Sequence, residues 1–125
     1  MLDLPLASPD SVAAPCVAYG IAKRANQLRV RAASVPWGER GARINSASPG
    51  VISTPQGQAE LASEVGHYMR SMIDASAGRL GAPDDIASAA AFLLGPESTF
   101  ISGTDLFVDG GAVAAIRSGR LKSPA

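Results

Sequence analysis

The sequence predicts an α/β fold whose sheet is parallel and incomplete. Three observations carry that prediction. Helix-period segments alternate with short strand-like runs, the strand candidates close on Pro-Gly or Asp-Gly-Gly turns, and there are about two such strands against several helices. Strands joined through helices pair in parallel and want cover on both faces, and two strands are too few for a sheet that is stable in water, so either the chain oligomerises or part of the sheet is missing. The order reads helix, strand, flap, helix, strand, in one structural unit, because 125 residues leave room for a single core.

Residues 1–15 are rich in Pro, Ala and Ser without a sustained period, which predicts an irregular lead-in. From Ala18 the apolar positions Ala18, Ile21, Ala22, Ala25, Leu28 and Ala32 recur at helical spacing, while Arg24, Gln27 and Arg31 share another side. An amphipathic helix to about Ser34 follows, with Pro36 and Gly38 at its end. Beyond the Gly38–Gly41 turn, Ala42–Ser48 suits a strand that stops at Pro49-Gly50.

Gln56–Val65 and His67–Ala75 read as two short helices broken near Gly66, a flap anchored by Leu61, Val65, Tyr68, Met69 and Met72. The next helix has the clearest signals. Pro83 suits its first position, Asp84 and Asp85 favour the positive N-terminal end, Ile86, Ala90, Leu93 and Leu94 form a stripe, and Gly95 stops it. Asp105–Val108 is a buried strand closed by Asp109-Gly110-Gly111, and residues 112–125 read as a tail. No internal repeat is visible.

The formal charge is zero and Lys and Arg are scattered, so the footprint of a nucleic-acid or anionic-membrane binder is missing. A lone cysteine, Cys16, allows no intrachain disulfide, and no His/Cys cluster offers the ligands of a zinc site; a reducing, cytoplasmic setting is expected. Met1 to Pro5 lack a cationic start and a long apolar stretch, and no apolar run approaches the ~20 residues that span a bilayer.

Chemistry centres on Tyr19-Gly20-Ile21-Ala22-Lys23, where a phenol and an ammonium four residues apart project from one helical face. A free phenol titrates near ~10, and a neighbouring positive charge is the direct way to bring it toward neutrality, where it can give a proton to a carbonyl oxygen or take one from an alcohol. Alone, the pattern also describes a half-exposed tyrosine beside a solvated lysine. His67 reads as a surface histidine, and Cys16 and Trp37 as packing.

Further motifs narrow the choice. Arg43-Ile44-Asn45 with Ser48-Pro49-Gly50-Val51-Ile52-Ser53-Thr54, then Gly78-Arg79-Leu80-Gly81-Ala82-Pro83-Asp84-Asp85-Ile86-Ala87, then Gly103 and Val108-Asp109-Gly110-Gly111, follow one another in order. Together with the Tyr19/Lys23 pair, they resemble successive signatures of the short-chain dehydrogenase/reductase family over residues 18–111. The resemblance implies the C-terminal half of that family's Rossmann-like, doubly wound parallel sheet over residues 16–111. It implies an oxidoreductase that interconverts ketones and secondary alcohols with NAD or NADP. Tyr19 would be the acid/base, and Lys23 would assist it and hold the nicotinamide ribose. Pro49 and Gly50 would line the nicotinamide, Ile52 would meet the carboxamide through its backbone, and Thr54 would approach carboxamide or phosphate. A glycine at position 50 permits close backbone approach, although an isolated Pro-Gly is also a plain turn. The 78–85 and 108–111 stretches would be structural.

The pattern also departs from the family. Nothing before Tyr19 supplies the strand, glycine-rich turn and helix whose amides hold dinucleotide phosphates, and the residue that chooses NAD over NADP is absent with them. Ser8 and Ser11 are poor matches to the family's substrate-binding serine, so no serine is assigned. The chain is expected to be truncated and to form a homo-oligomer through the Ala18–Ser34 helix and the last helix-strand unit, since those surfaces meet in the family. The alternative is a catalytically inactive fragment that persists as an oligomerisation or interaction module. An upstream strand and glycine-rich turn would decide for the enzyme.

Overall fold

The structure, a computed structural model, describes residues 15–121. Residues 1–14 and 122–125, with Ser8, Ser11 and nearly all of the expected lead-in, lie outside the described residues.

Helix α1 spans Pro15–Gly38, strand β1 Ser46–Pro49, helix α2 Pro55–Leu61, α3 Gly66–Ala75, α4 Pro83–Leu94, strand β2 Asp105–Val108 and α5 Ala112–Arg117. A short 3-10 turn, Pro96–Ser98, follows α4. The two strands pair in parallel with Ser46 opposite Asp105 and Pro49 opposite Val108. An isolated parallel bridge between Ile52 and Gly81 continues the sheet direction.

Helix α4 forms where the sequence predicts it, because its signals are local. The flap also forms as two helices, but the first stops at Leu61 and Val65 is exposed. Strand β2, expected to be buried, is half-buried with Phe107 exposed, because the two-stranded sheet is thinly covered. Thr54 caps α2 by accepting from the Gly57 amide at 3.1 Å. Asp85 accepts from the Ala82 N–H at 2.7 Å and so closes the first turn of α4.

Helix α1 runs past its predicted end. Pro36 removes one donor, but the Glu39 amide still reaches the Val35 carbonyl at 3.1 Å, so the coil survives another turn. Closure falls to Gly41, at φ 71, where Gly41 N–H bonds to Gly38 and Ala42 N–H to Trp37, a Schellman arrangement that only a left-handed residue permits. Trp37, expected to pack, is largely exposed there.

Strand β1 is shorter than predicted because the residues before Ser46 tie other elements instead of extending the ladder. The Arg43 guanidinium donates to the carbonyls of Leu93, Ile101 and Gly95 at 2.9, 3.1 and 3.4 Å, placing a cation on the negative end of α4. The Asn45 amide donates to Ile101 O at 3.0 Å and accepts from Thr104 N at 3.1 Å.

The expected tail contains helix α5. Asp109 accepts from the Gly111 and Val113 amides at 2.9 and 2.8 Å, which turns the Asp-Gly-Gly stretch into a helix start, and Ala112 and Ala115 are then buried. With Leu93 they are the buried hydrophobic residues among those described, a thin core for the elements it supports. Ser98, 1% exposed, is satisfied by the Leu93 and Gly95 carbonyls at 2.9 and 3.2 Å.

The face that α1 turns inward is also not the predicted apolar one. Gln27, Val30, Ala33 and Ser34 are half-buried, whereas Ile21, Leu28 and the alanines at 18, 22, 25 and 32 are exposed. Ser46, Ser48 and Asp105 make the adjoining side of the strand pair polar and bond to one another, and Gln27 of α1 donates to Ser48.

Candidate active site

Tyr19 stands on α1, 65% exposed, with the Lys23 Nζ 5.2 Å from its ring centroid. One turn of helix separates the two residues, and the ammonium over the ring contributes roughly 0.5–1 kcal/mol at such an exposed position.

Facing them, the chain leaves β1 through Pro49-Gly50. Gly50 N–H donates to Val108 O at 3.1 Å, extending the ladder by one bond. A Cβ at Gly50 would meet the Asp109 Cα at 2.7 Å and the Asp109 O at 3.0 Å, so the loop lies pressed on the end of β2 and glycine is required by space. Beyond it, Gly81 N–H reaches Val51 O at 2.9 Å and Ser53 N–H reaches Gly81 O at 2.8 Å. Between these two bonds, the Ile52 N–H has no partner among the described residues. The Thr54 Oγ1 accepts from Gly57, which leaves its own proton to donate.

Tyr19, Pro49, Gly50, Ile52 and Thr54 line one open cleft of about 1130 Å³. Lys23 is not part of its wall and sits beside the Tyr19 ring. All the residues implied by the resemblance except Lys23 thus meet in one cleft, although α1 and the loop are about thirty positions apart in the chain.

The cleft also has walls that the sequence reading did not assign to it. Tyr68, Met69 and Met72 of α3 and Ile86 of α4 close the apolar side, and Gln56 and Glu60 of α2 supply a polar rim. The three α3 residues were legible as apolar anchors, but their spacing alone cannot distinguish a core from a cleft wall. His67, next to them in sequence, stays out of the wall and exposed.

A second cavity of about 400 Å³ shares Gly50, Ile52 and Met72 and is bounded by Arg79, Asp85 and Asp109. Arg79 donates to both Asp85 oxygens at 2.8 and 3.1 Å. That hydrogen bonding, then the bond from the Ala82 amide, brings the Asp85 carboxyl down to about 2, and the same pair raises Arg79. Asp109 is engaged by α5. These charges serve the loop and the helix start, and the phenol lies in the other cleft.

The family model described as enoyl-(acyl carrier protein) reductase matches residues 6–113. A short-chain dehydrogenase/reductase of Alternaria brassicicola, bsc3, is 48% identical over 100 residues, covering 78% of this chain and 36% of that protein. The 3-alpha-hydroxysteroid dehydrogenase/carbonyl reductase of Comamonas testosteroni is 34% identical over 81% of this chain and 39% of its own length. Among solved structures, 4-hydroxyisoleucine dehydrogenase complexed with NADH superposes with a TM-score of 0.67 at 30% identity, covering 78% of this chain and 40% of that one. The NADP-bound ElxO structure gives 0.64 at 30% identity over 77% and 39%. The chain therefore spans about two fifths of the length of the relatives it matches.

Proposed function

The chain belongs to the short-chain dehydrogenase/reductase family, its parallel strand pair and helices forming part of a Rossmann-like sheet, and from that premise we propose that it carries the proton-transfer end of an NAD(P)-dependent oxidoreductase. The observation that carries the reading is the single cleft in which the Tyr19 phenol faces the Pro49–Thr54 loop.

The donors around that cleft suit a nicotinamide. Gly50 seats the loop against Asp109, and among the described residues the Ile52 N–H and the Thr54 hydroxyl proton are free to meet a carboxamide. Lys23, beside the phenol, would hold the ribose hydroxyls. Bound there, a reduced nicotinamide would supply two electrons as hydride to a carbonyl carbon. Tyr19 would give its proton to the carbonyl oxygen, and would take it back when a secondary alcohol is oxidised. The apolar side formed by Met69, Met72 and Ile86 would seat the carbon skeleton of a small alcohol or ketone. Relatives of both cofactor preferences occur, so NAD and NADP both remain in the proposal.

A glycine-rich unit beyond this chain would hold the phosphates, in keeping with the greater length of the relatives. Exposed Ile21 and Leu28 on α1, and Phe92, Leu94 and Phe100 around the end of α4, favour assembly with further copies or with the rest of the sheet. They equally suit an inactive interaction module, the second reading. No helix among the described residues is long and apolar enough to cross a membrane. One cysteine favours a reducing, cytoplasmic setting.

The test is a fluorescence titration of the folded chain with NADH and NADPH, beside Tyr19→Phe and Lys23→Ala. Saturable binding weakened about tenfold or more by Lys23→Ala, a loss of roughly 1.4 kcal/mol, is expected. No binding by a chain with intact circular dichroism would reject an autonomous nicotinamide site and leave the interaction module.

A further inference from the structure

Resting on the cofactor-site reading above, we infer that Gln27 is a positioning residue, holding the helix that bears Tyr19 and Lys23 in register with the Pro49-Gly50 loop through Ser48 and Asp105.

The need for such a device follows from how α1 is attached. Its predicted apolar stripe is exposed, and of its described apolar residues only Val30 and Ala33, between Gln27 and Ser34, are half-buried, so no hydrophobic seam reaches the turns that bear Tyr19 and Lys23. Near its C-terminal end, Ser34 lies against Gly103, where an added Cβ would come within 2.7 Å of the Ser34 Oγ. Tyr19 stands fifteen residues before that anchor, about 22 Å along a helix axis. Pivoting there alone, a tilt of only about 3° carries Tyr19 about 1 Å across the cleft. A displacement of that size can cost a reaction up to about 100-fold.

Gln27 supplies the second point. It lies about 10 Å from Ser34 along the axis, on the side of α1 that also bears Lys23 one turn earlier. Its Nε2 donates to the Ser48 Oγ at 2.9 Å, the one side-chain hydrogen bond between α1 and the strand pair among the described residues. Ser48 has a single hydroxyl proton, which it gives to the Asp105 carboxylate at 2.9 and 3.0 Å, so its lone pair must face Gln27. Asp105 is held in turn by the Ser46 hydroxyl at 2.7 Å, and Ser46 is its register partner across the sheet. At the other end, Arg24 donates to the Gln27 Oε1 at 3.0 Å and fixes which way the amide points.

The chain Arg24, Gln27, Ser48, Asp105 therefore runs from a cation to a carboxylate with every proton directed one way, an arrangement in which each bond polarises the next. Ser48 immediately precedes Pro49 and Gly50. One bond thus fixes both sides of the cleft relative to each other: the proton donor on the helix and the loop that faces it.

The test uses Gln27→Leu and Ser48→Ala, alone, together and each with Lys23→Ala, in the whole chain. Two readouts are NADH and NADPH titration, and amide hydrogen exchange across residues 17–26 of α1 with α4 as internal reference. Expected are faster exchange in 17–26 but not in α4, nucleotide binding weakened several-fold, a double variant no worse than either single one, and a smaller effect of Lys23→Ala once Gln27 is gone. A purely structural role predicts a general loss of protection and additive effects, and either result overturns the proposal. Unchanged exchange in Gln27→Leu overturns the tether whatever the nucleotide result. If exchange quickens while a wild-type chain that binds nucleotide keeps its affinity in Gln27→Leu, the positioning role is rejected. Should the wild-type chain bind neither nucleotide, the cofactor reading falls and the positioning role with it, while the exchange arm still reports whether Gln27 holds the helix.

Discussion

Replacing Gly50 by alanine isolates one physical term. Its φ is not in the left-handed region, so the backbone accepts an L side chain without conformational strain, and only space is at issue. The new Cβ would stand 2.7 Å from the Asp109 Cα and 3.0 Å from the Asp109 O, both main-chain atoms that cannot rotate away. Relief requires the Pro49-Gly50 loop to lift off the end of β2, which strains the Gly50–Val108 hydrogen bond of 3.1 Å. Overpacking of this kind costs about 1–3 kcal/mol. In a domain near this size, each kcal/mol lowers the melting midpoint by roughly 4–8 °C. Urea and thermal unfolding followed by circular dichroism would measure it. Gly20→Ala is the control, because nothing lies within 4 Å of the Cβ added there, in mid-helix. That substitution should be neutral or stabilising by about 0.5–1 kcal/mol. Equal stability of the two variants would refute the steric argument, and with it the close seating of the loop on Asp109.

Three further outcomes follow from the contacts described. Arg43→Met should destabilise by about 1.5–3 kcal/mol in equilibrium unfolding, because it strips the carbonyls of Leu93, Gly95 and Ile101 of a charged donor while keeping the aliphatic stem. For acid stability, the Asp85 carboxyl titrates at about 2 in the folded chain against an ordinary 3.8. The folded state is therefore the weaker proton binder: the Asp85 contribution is complete above about pH 4 and is lost as the pH falls toward 2. Asp85→Asn should flatten the unfolding free energy across that window, and a slope matching wild type would count against the pair. Gly41→Ala, with φ 71 and open space around the added Cβ, should cost roughly 1–2 kcal/mol from left-handed strain alone, as read from the shift in urea midpoint.

Much of the fold was legible because its signals act over a few residues. Pro83 with Asp84 and Asp85 starts a helix through donor-free geometry and charge, whereas the flap parts over 62–65 and Gly66 opens α3 instead of breaking it. The Asp109-Gly110-Gly111 turn was legible too, but that Asp109 also opens α5 was not, since a helix of six residues leaves little periodicity to read. Tyr19, Lys23 and the Pro49-Gly50 turn became candidates only through the ordered set of motifs, since each pattern alone also describes an ordinary helix surface or turn.

The orientation of α1 belongs to a different order of information. Periodicity identified two faces but could not say which one meets the sheet, because that depends on the partner surface. Here the surface is polar, built from Ser46, Ser48 and Asp105, and Asp105 lies 78 residues from Gln27 in the chain. The sequence by itself determined the order of elements from α1 to β2 and both ends of α4, through interactions between near neighbours, and its ordered motifs singled out Tyr19 and Lys23 as a candidate pair. Only the tertiary structure decided that Met69 and Met72 wall a cleft instead of a core, and that Gln27, Val30, Ala33 and Ser34 are the side of α1 that turns inward. Such choices are set by which distant groups must satisfy one another once water is removed from between them.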